Sequence, residues 1–188
     1  RADDQALAGQ IEELRQAVAK EPKNLELRDS LARAYAARSQ PREAEAEYRK
    51  LLEIAPTYPP AAMGLALVLL RQKRADEAAE SLRAVVRASP GDIQANTLLA
   101  DYHEAKGNRE QAIQHLEAVR RVNGALVAVT LRLAWLYGQT GRVGEGIALA
   151  RDVVAAQPRL AQAHLVLGTL ELGRGRVQEA VDALSAAT

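Results

Sequence analysis

The sequence contains no cysteine and no phenylalanine, and aromatic residues make up only 3% of its 188 residues. Without cysteine the chain can form no disulfide, no thiolate metal site and no thiol nucleophile. With so few aromatic side chains, the 48% of hydrophobic residues must build the interior from Ala, Leu and Val. Ala and Leu are strong helix formers, so this composition favours an all-helical protein.

The chain also lacks a strong charge and a long apolar segment. Its formal net charge is +1, and acids alternate with bases, which argues against a nucleic-acid interface. The longest apolar run, Ala61 to Leu70, has ten residues, whereas a helix that crosses a bilayer needs about 20. No signal peptide is visible, and the chain opens RADDQ without an initiator Met. We therefore expect a fragment of a longer protein, with no membrane span of its own.

Helix breakers recur at a fixed interval. Pro22, Pro56 and Pro90 are 34 residues apart, and Pro158 follows after a further 68, with Gly124 at the midpoint. Each interval carries a Leu followed by a small residue, then further apolar positions at helical spacing. These pairs are Leu31-Ala32, Leu65-Ala66, Leu99-Ala100, Leu133-Ala134 and Leu167-Gly168. A fixed period of this length indicates a tandem repeat of one supersecondary unit.

Each interval predicts two helices joined by a tight turn. The small residue of the first helix allows the second helix to approach closely, and a larger side chain there would overpack the contact. One turn position is held in order by Ser39, Lys73, Gly107, Gly141 and Gly175. Three glycines among five residues predict a left-handed backbone at this position, because Gly adopts it without Cβ strain.

This order of residues resembles the tetratricopeptide repeat (TPR). The resemblance implies an all-α fold, an α-solenoid of antiparallel helix pairs that forms a right-handed superhelix. It places repeats at 25–58, 59–92, 93–126, 127–160 and 161–188, the last one truncated at its C-terminal end. Residues 1–24 are expected to form either the second helix of a preceding repeat or an N-terminal cap.

Two positions depart from the family pattern. The consensus Trp at the fourth residue of each repeat is replaced by Arg28, Ala62, Asn96, Thr130 and His164. Glu171 stands where a tyrosine is expected, so the last repeat is predicted to be less tightly packed on that side.

The resemblance also implies a binding surface, because the first helices of TPRs line the concave side of the superhelix. Their second, fifth, ninth, twelfth and thirteenth residues usually face this groove. Several of these residues are large and apolar here, and Leu172, the twelfth residue of its repeat, is one of them. Exposed apolar surface marks interaction sites, and Trp is a frequent interface anchor. The candidate partner-binding residues are Arg33, Met63, Leu67, Leu70, Arg71, Asp101, Glu104, Leu131, Arg132, Trp135 and Leu165. The alternative is that neighbouring helices cover these residues.

The residue patterns of catalysis are missing. The glycines of the segment 131–146 follow no strand and precede no Lys-Ser/Thr pair, so they do not indicate a phosphate loop. The histidine spacings suit no zinc site, and His103 and His164 are expected to be buried and hydrogen-bonded. No acid pair or activated serine is apparent. We predict no catalytic, cofactor-binding or metal-binding residue, and no enzyme.

The predicted function is a protein-interaction scaffold that binds a helix or peptide of another protein in its concave groove. Ala/Arg/Leu-rich bacterial arrays are similar to those of envelope assembly, exopolysaccharide export and secretion, which suggests the periplasm or cell envelope, with the cytoplasm as the alternative. A second hypothesis is a self-assembling or spacer module. The chain stops at Thr188 within a helical pattern, so Val177, Val181 and Leu184 are expected to be uncovered and to allow weak self-association.

Overall fold

The computed structural model describes residues 2–187, and this part of the chain contains eleven α-helices and no strand. The helices are α1 (Ala2–Lys20), α2 (Leu25–Ala37), α3 (Pro41–Ile54), α4 (Pro59–Arg71), α5 (Ala75–Ala88), α6 (Ile93–Ala105), α7 (Arg109–Val122), α8 (Val127–Gln139), α9 (Val143–Ala156), α10 (Ala161–Gly173) and α11 (Val177–Ser185). The predicted all-α class is confirmed. The even-numbered helices begin at the first residue of each predicted repeat.

Small residues allow the two helices of a repeat to pack closely. Helices α2 and α3, α4 and α5, α8 and α9, and α10 and α11 contact each other as pairs. Ala66 and Ala134 are fully buried. A Cβ added to Gly168 would lie 2.6 Å from Leu184 Cγ, and one added to Gly146 would lie 2.5 Å from the carbonyl oxygen of Ala134. A larger side chain would therefore separate the helices, as the sequence predicts.

The turn inside each repeat has the predicted left-handed backbone. The φ angles are 58° at Ser39, 62° at Lys73, 77° at Gly107, 82° at Gly141 and 77° at Gly175. The three glycines adopt this conformation freely, whereas Ser39 and Lys73 do so at a cost of about 1 kcal/mol each.

The chain divides into two compact units, Arg1–Leu98 and Leu99–Thr188, which we call unit 1 and unit 2. In unit 1, Ile11 and Val18 of α1 are buried against Leu31 and Ala34 of α2. The N-terminal helix is thus packed onto the first repeat. In unit 2, leucines, isoleucines and alanines of α6 to α10 form one core cluster together with Tyr137.

Polar side chains at the fourth residue of three repeats bond to the turn that precedes the helix. Arg28 Nη2 donates to the Pro22 carbonyl oxygen at 2.8 Å, and Asn96 Nδ2 donates to that of Pro90 at 3.0 Å. His164 Nε2 lies 2.8 Å from the Pro158 oxygen, so this nitrogen carries the proton. These side chains replace the consensus Trp with a hydrogen bond of a recurring geometry.

Candidate interaction surfaces

The predicted binding residues lie on the first helices of the repeats, and each unit presents its own set. The unit 1 face is defined by Arg33, Met63, Leu67, Leu70 and Arg71. The unit 2 face is defined by Asp101, Glu104, Arg132, Trp135, Leu165 and Leu172. Helices α2 and α4 contact each other in unit 1, as do α8 and α10 in unit 2. Each face is therefore carried by neighbouring first helices.

The unit 2 face exposes three large apolar side chains. Trp135 is 42% exposed, and Leu165 and Leu172 are each 54% exposed. Trp135 is exposed because Leu133 and Leu136 already occupy the buried side of α8, so the indole projects from the opposite side. Large apolar groups exposed on two packed helices are the feature expected of an interaction surface.

Leu131 requires a correction to the predicted set. It is only 1% exposed and packs with Val153 of α9 and Ala163 of α10 in a separate part of the core. The small side chain at Ala163 leaves room for Leu131 between the helices. Leu131 therefore stabilises the fold of unit 2 and is not available as a binding anchor.

The charged residues of the unit 2 face are joined through one arginine. Arg132 Nη2 lies 2.6 Å from Asp101 Oδ1, and Arg132 Nε donates to Glu104 Oε1 at 2.6 Å. Burial alone would lower the pKa of Arg132, but the hydrogen bonds and charges of the two carboxylates raise it overall. Two carboxylates and one guanidinium leave one net negative charge, and the Asp101 side chain remains 52% exposed.

The unit 1 face is less apolar at its surface. Met63, Leu67 and Leu70 are all partly buried, whereas Arg33 and Arg71 are exposed. Arg71 donates to the Ala36 carbonyl oxygen at 3.4 Å and lines a cavity of about 200 Å³. The exposed features of this face are thus the two guanidinium groups.

Sequence reasoning missed two polar clusters in unit 2, each built around one buried side chain. The Tyr137 hydroxyl donates to Glu117 Oε1 at 2.6 Å, and the Arg142 guanidinium carbon lies 3.9 Å from the centre of the Tyr137 ring. The missed signal is the recurrence of polar residues at corresponding positions of successive repeats.

The second cluster surrounds Glu171, which is only 1% exposed. Arg151 Nη2 donates to Glu171 Oε1 at 2.5 Å, and Arg176 Nη1 lies 3.6 Å from Oε2. The carboxyl group itself is enclosed between two arginines, but its Oε2 accepts no hydrogen bond and a cavity of about 310 Å³ lies beside it. The looser packing expected at this position therefore stays a prediction.

The features of a catalytic or metal centre do not emerge from the described residues. His103 and His164 are buried, as predicted, each 8% exposed. Within residues 2–187, no group of His, Asp and Glu side chains could hold a metal ion. No helix in that range is both long and apolar enough to cross a membrane.

The fold and the repeat define a class, the α-solenoids made of helical hairpins. Family models described as tetratricopeptide repeat match residues 35–102 and 131–188. The chain belongs to the tetratricopeptide repeat family. Among curated proteins, nothing matches the sequence.

Solved structures share this fold at low sequence identity. A crystal structure of MamA is 18% identical with a TM-score of 0.74, covering 87% of this chain and 89% of MamA. YrrB, a TPR protein with an unusual peptide-binding site, is 17% identical with a TM-score of 0.81, covering 93% and 90%. A TPR protein of Parabacteroides merdae is 19% identical with a TM-score of 0.70, covering 98% and 73%. At these identities the likeness establishes the fold alone.

Proposed function

We propose that this chain is a non-catalytic interaction scaffold that binds a helix or extended segment of another protein on its exposed first-helix faces. The observation that carries the proposal is the exposure of Trp135, Leu165 and Leu172 on α8 and α10. Burying these side chains under a partner would remove apolar surface from water, which stabilises a complex by about 25 cal/mol per Å² before the costs of association.

Two further observations support a peptide ligand. Trp is enriched among the residues that dominate binding energy, and Trp135 is the only one in the chain. YrrB, which shares the fold, is a TPR protein with a peptide-binding site. An amphipathic helix that lays its apolar side on α8 and α10 would meet Leu165 and Leu172, which lie seven residues apart, two turns along one helix.

The test compares surface variants in binding to the native partner. Trp135→Ala and Leu165→Asp are expected to weaken the complex at least about tenfold, since both remove anchoring apolar contact. Val122→Asp is the matched control, because Val122 is also an exposed apolar residue of unit 2, 55% exposed, but lies on the second helix α7. If Trp135→Ala and Leu165→Asp bind as the wild type does, the face is not the binding site.

We also propose a bacterial setting, envelope assembly or exopolysaccharide export and secretion, with the periplasm as the compartment. The support for this setting is that arrays of the same fold in those systems have a similar Ala/Arg/Leu-rich composition, which is an argument by analogy. Fractionation of cells that express the native gene would test it. Recovery with periplasmic markers would support the proposal, and recovery with cytoplasmic markers would contradict it.

A self-assembling module is a second candidate, supported by a different surface. Val177 and Val181 lie on one side of α11 and are 61% and 50% exposed. Pairing of this helix between copies would cover both. Sedimentation velocity should then show concentration-dependent association that Val177→Lys with Val181→Lys abolishes, whereas Trp135→Ala leaves it unchanged. A wild type that stays monomeric across the concentration range would exclude this candidate.

A further inference from the structure

The unit 2 face combines its apolar residues with an excess of acid. Asp101, Glu104 and Arg132 form one connected ion-pair group with a net charge of −1. Lys106, the first residue after α6, has its ammonium 5.6 Å from the centre of the Tyr102 ring. The more exposed carboxylate, Asp101, is thus the group that an incoming partner meets.

Asp101 and Trp135 occupy the same position in successive repeats. Each is the ninth residue of its repeat, and they are 34 residues apart. Arg132, which precedes Trp135 by one helical turn, reaches across to Asp101 at 2.6 Å. An exposed carboxylate and an exposed indole therefore lie on adjacent first helices, with aliphatic Leu165 on the next one.

This combination favours a cationic side chain. A Lys or Arg is attracted by a carboxylate and also by the face of an indole ring, where Trp gives the strongest cation–π contact among aromatic residues. An acidic residue at the same place would be repelled by Asp101, and an aliphatic residue would remove water from the exposed part of the carboxylate and offer it no partner besides Arg132.

We propose that the unit 2 face selects a basic amphipathic segment, with aliphatic residues over Leu165 and Leu172 and a Lys or Arg next to Asp101 and Trp135. This inference rests on the proposed function and specifies the chemistry of its partner. The unit 1 face has no tryptophan, and its exposed charges are Arg71 and Arg33, which lies 3.8 Å from Asp29, so the preference belongs to unit 2.

The probe is a displayed library of random peptides selected on the whole chain. Selected peptides are then synthesised with a fluorescein label and titrated by fluorescence anisotropy, a readout that does not depend on Trp135, the only tryptophan. We expect Lys and Arg to be enriched among Leu and Ile at helical spacing. Asp101→Asn should weaken these peptides about tenfold at low salt, and added salt should reduce the difference. Glu110→Gln is the charge-matched control, since Glu110 is an exposed carboxylate at the start of α7.

The outcomes separate this inference from the proposed function. Peptides that require Trp135 and Leu165 but carry no basic residue, or that bind Asp101→Asn as tightly as wild type, would overturn the inference and leave the scaffold function in place. Acidic peptides would overturn it in the same way. If no selected peptide is weakened by Trp135→Ala or Leu165→Asp, binding at this face is refuted, and both proposals fail.

Discussion

Two corresponding positions of unit 2, Tyr137 and Glu171, differ in a way that shows how the repeat accommodates change. Each is the eleventh residue of its repeat. Tyr137 donates to a carboxylate twenty residues earlier, Glu117, whereas Glu171 accepts from a guanidinium twenty residues earlier, Arg151. The donor and the acceptor have exchanged places between the two repeats.

An arginine five residues later is common to both positions, but its contact differs. Arg142 packs over the ring of Tyr137, while Arg176 faces the second oxygen of Glu171. The backbone spacing is therefore retained, and only the polarity of the pair is reversed. The energetic consequence is unequal, because Glu171 buries a full charge and Tyr137 buries a neutral hydroxyl.

The largest loss of stability is expected when an acidic residue is placed opposite Glu171. Arg151→Glu would leave two carboxylates at a position where one is 1% exposed, and we expect the free energy of unfolding to fall by about 3 kcal/mol or more. Urea denaturation followed by Trp135 fluorescence would measure it, with Arg159→Glu as the control at an exposed arginine. Adding Glu171→Tyr recreates the Tyr137 arrangement and should restore most of the loss. A double variant no more stable than Arg151→Glu would show that the two positions are not equivalent.

The contribution of the neutral Tyr137 hydroxyl to stability should decrease at high pH. Burial, followed by the hydrogen bond to Glu117 and its charge, raises the pKa of Tyr137 from 10.0 to about 12. The stabilisation of the fold by the neutral Tyr137 hydroxyl is complete at pH values below the pKa of this group in the unfolded chain. It is lost as the pH rises through the pKa of the group in the folded protein. The advantage of wild type over Tyr137→Phe should shrink by about 2 kcal/mol between about pH 9 and pH 12.

Tyr48, whose pKa is also raised to about 12, is present in both proteins and cancels in this comparison. Urea midpoints of the two proteins at each pH would provide the measurement. A constant difference across this pH range would contradict the assigned role of the hydroxyl.

Removing the acceptor of Tyr137 should have a smaller effect than reversing the charge at Arg151. Glu117→Ala leaves a buried hydroxyl without its hydrogen bond, which costs about 1 kcal/mol. Thermal unfolding of Glu117→Ala, with and without Tyr137→Phe, forms a double-mutant cycle. Additive losses would mean that the 2.6 Å hydrogen bond contributes nothing to stability.

The smallest difference is expected at the common arginine. Arg142→Met removes a cation–π contact and the ion pairs with Glu145 and Glu117 from a side chain that is 35% exposed. Because exposed ion pairs contribute little, about 0.5 kcal/mol should be lost. Arg176→Met removes one of the two guanidinium groups near a buried carboxylate and should cost more. Parallel urea titrations would rank them, and the reverse order would indicate that Arg151 alone satisfies Glu171.

The 34-residue period was sufficient to predict most of the fold. It placed the starts of the first helices, the small residues at the helix contacts and the left-handed turn residues, because each of these is set by local spacing and by sterics within one repeat. The candidate surface was less predictable. The register shows which side of a helix a residue lies on, but coverage of that side depends on neighbours, as with Leu131 beneath Val153 and Ala163.

The pairing of Glu171 with Arg151 could not be predicted from the sequence, because it too depends on how the helices pack. Glu171 meets Arg151 across twenty residues, on different helices of successive repeats. A carboxylate among apolar residues indicates only that some partner is required, and the helix packing decides which arginine reaches it.

The side chains of Arg28, Asn96 and His164 hold the linkers before α2, α6 and α10 by hydrogen bonds to the linker backbone. Arg28 is held further by its ion pair with Glu47, whereas Ala62 has only a methyl group at the same position and Thr130 reaches only Leu126, the last residue of the linker before α8. Amide hydrogen exchange at the segments 55–58 and 123–126 should therefore be faster than at the linkers before α2, α6 and α10, because local opening there breaks fewer hydrogen bonds. Within unit 1 the linker before α4, and within unit 2 the linker before α8, would then open more readily than the linkers before α2 and α10.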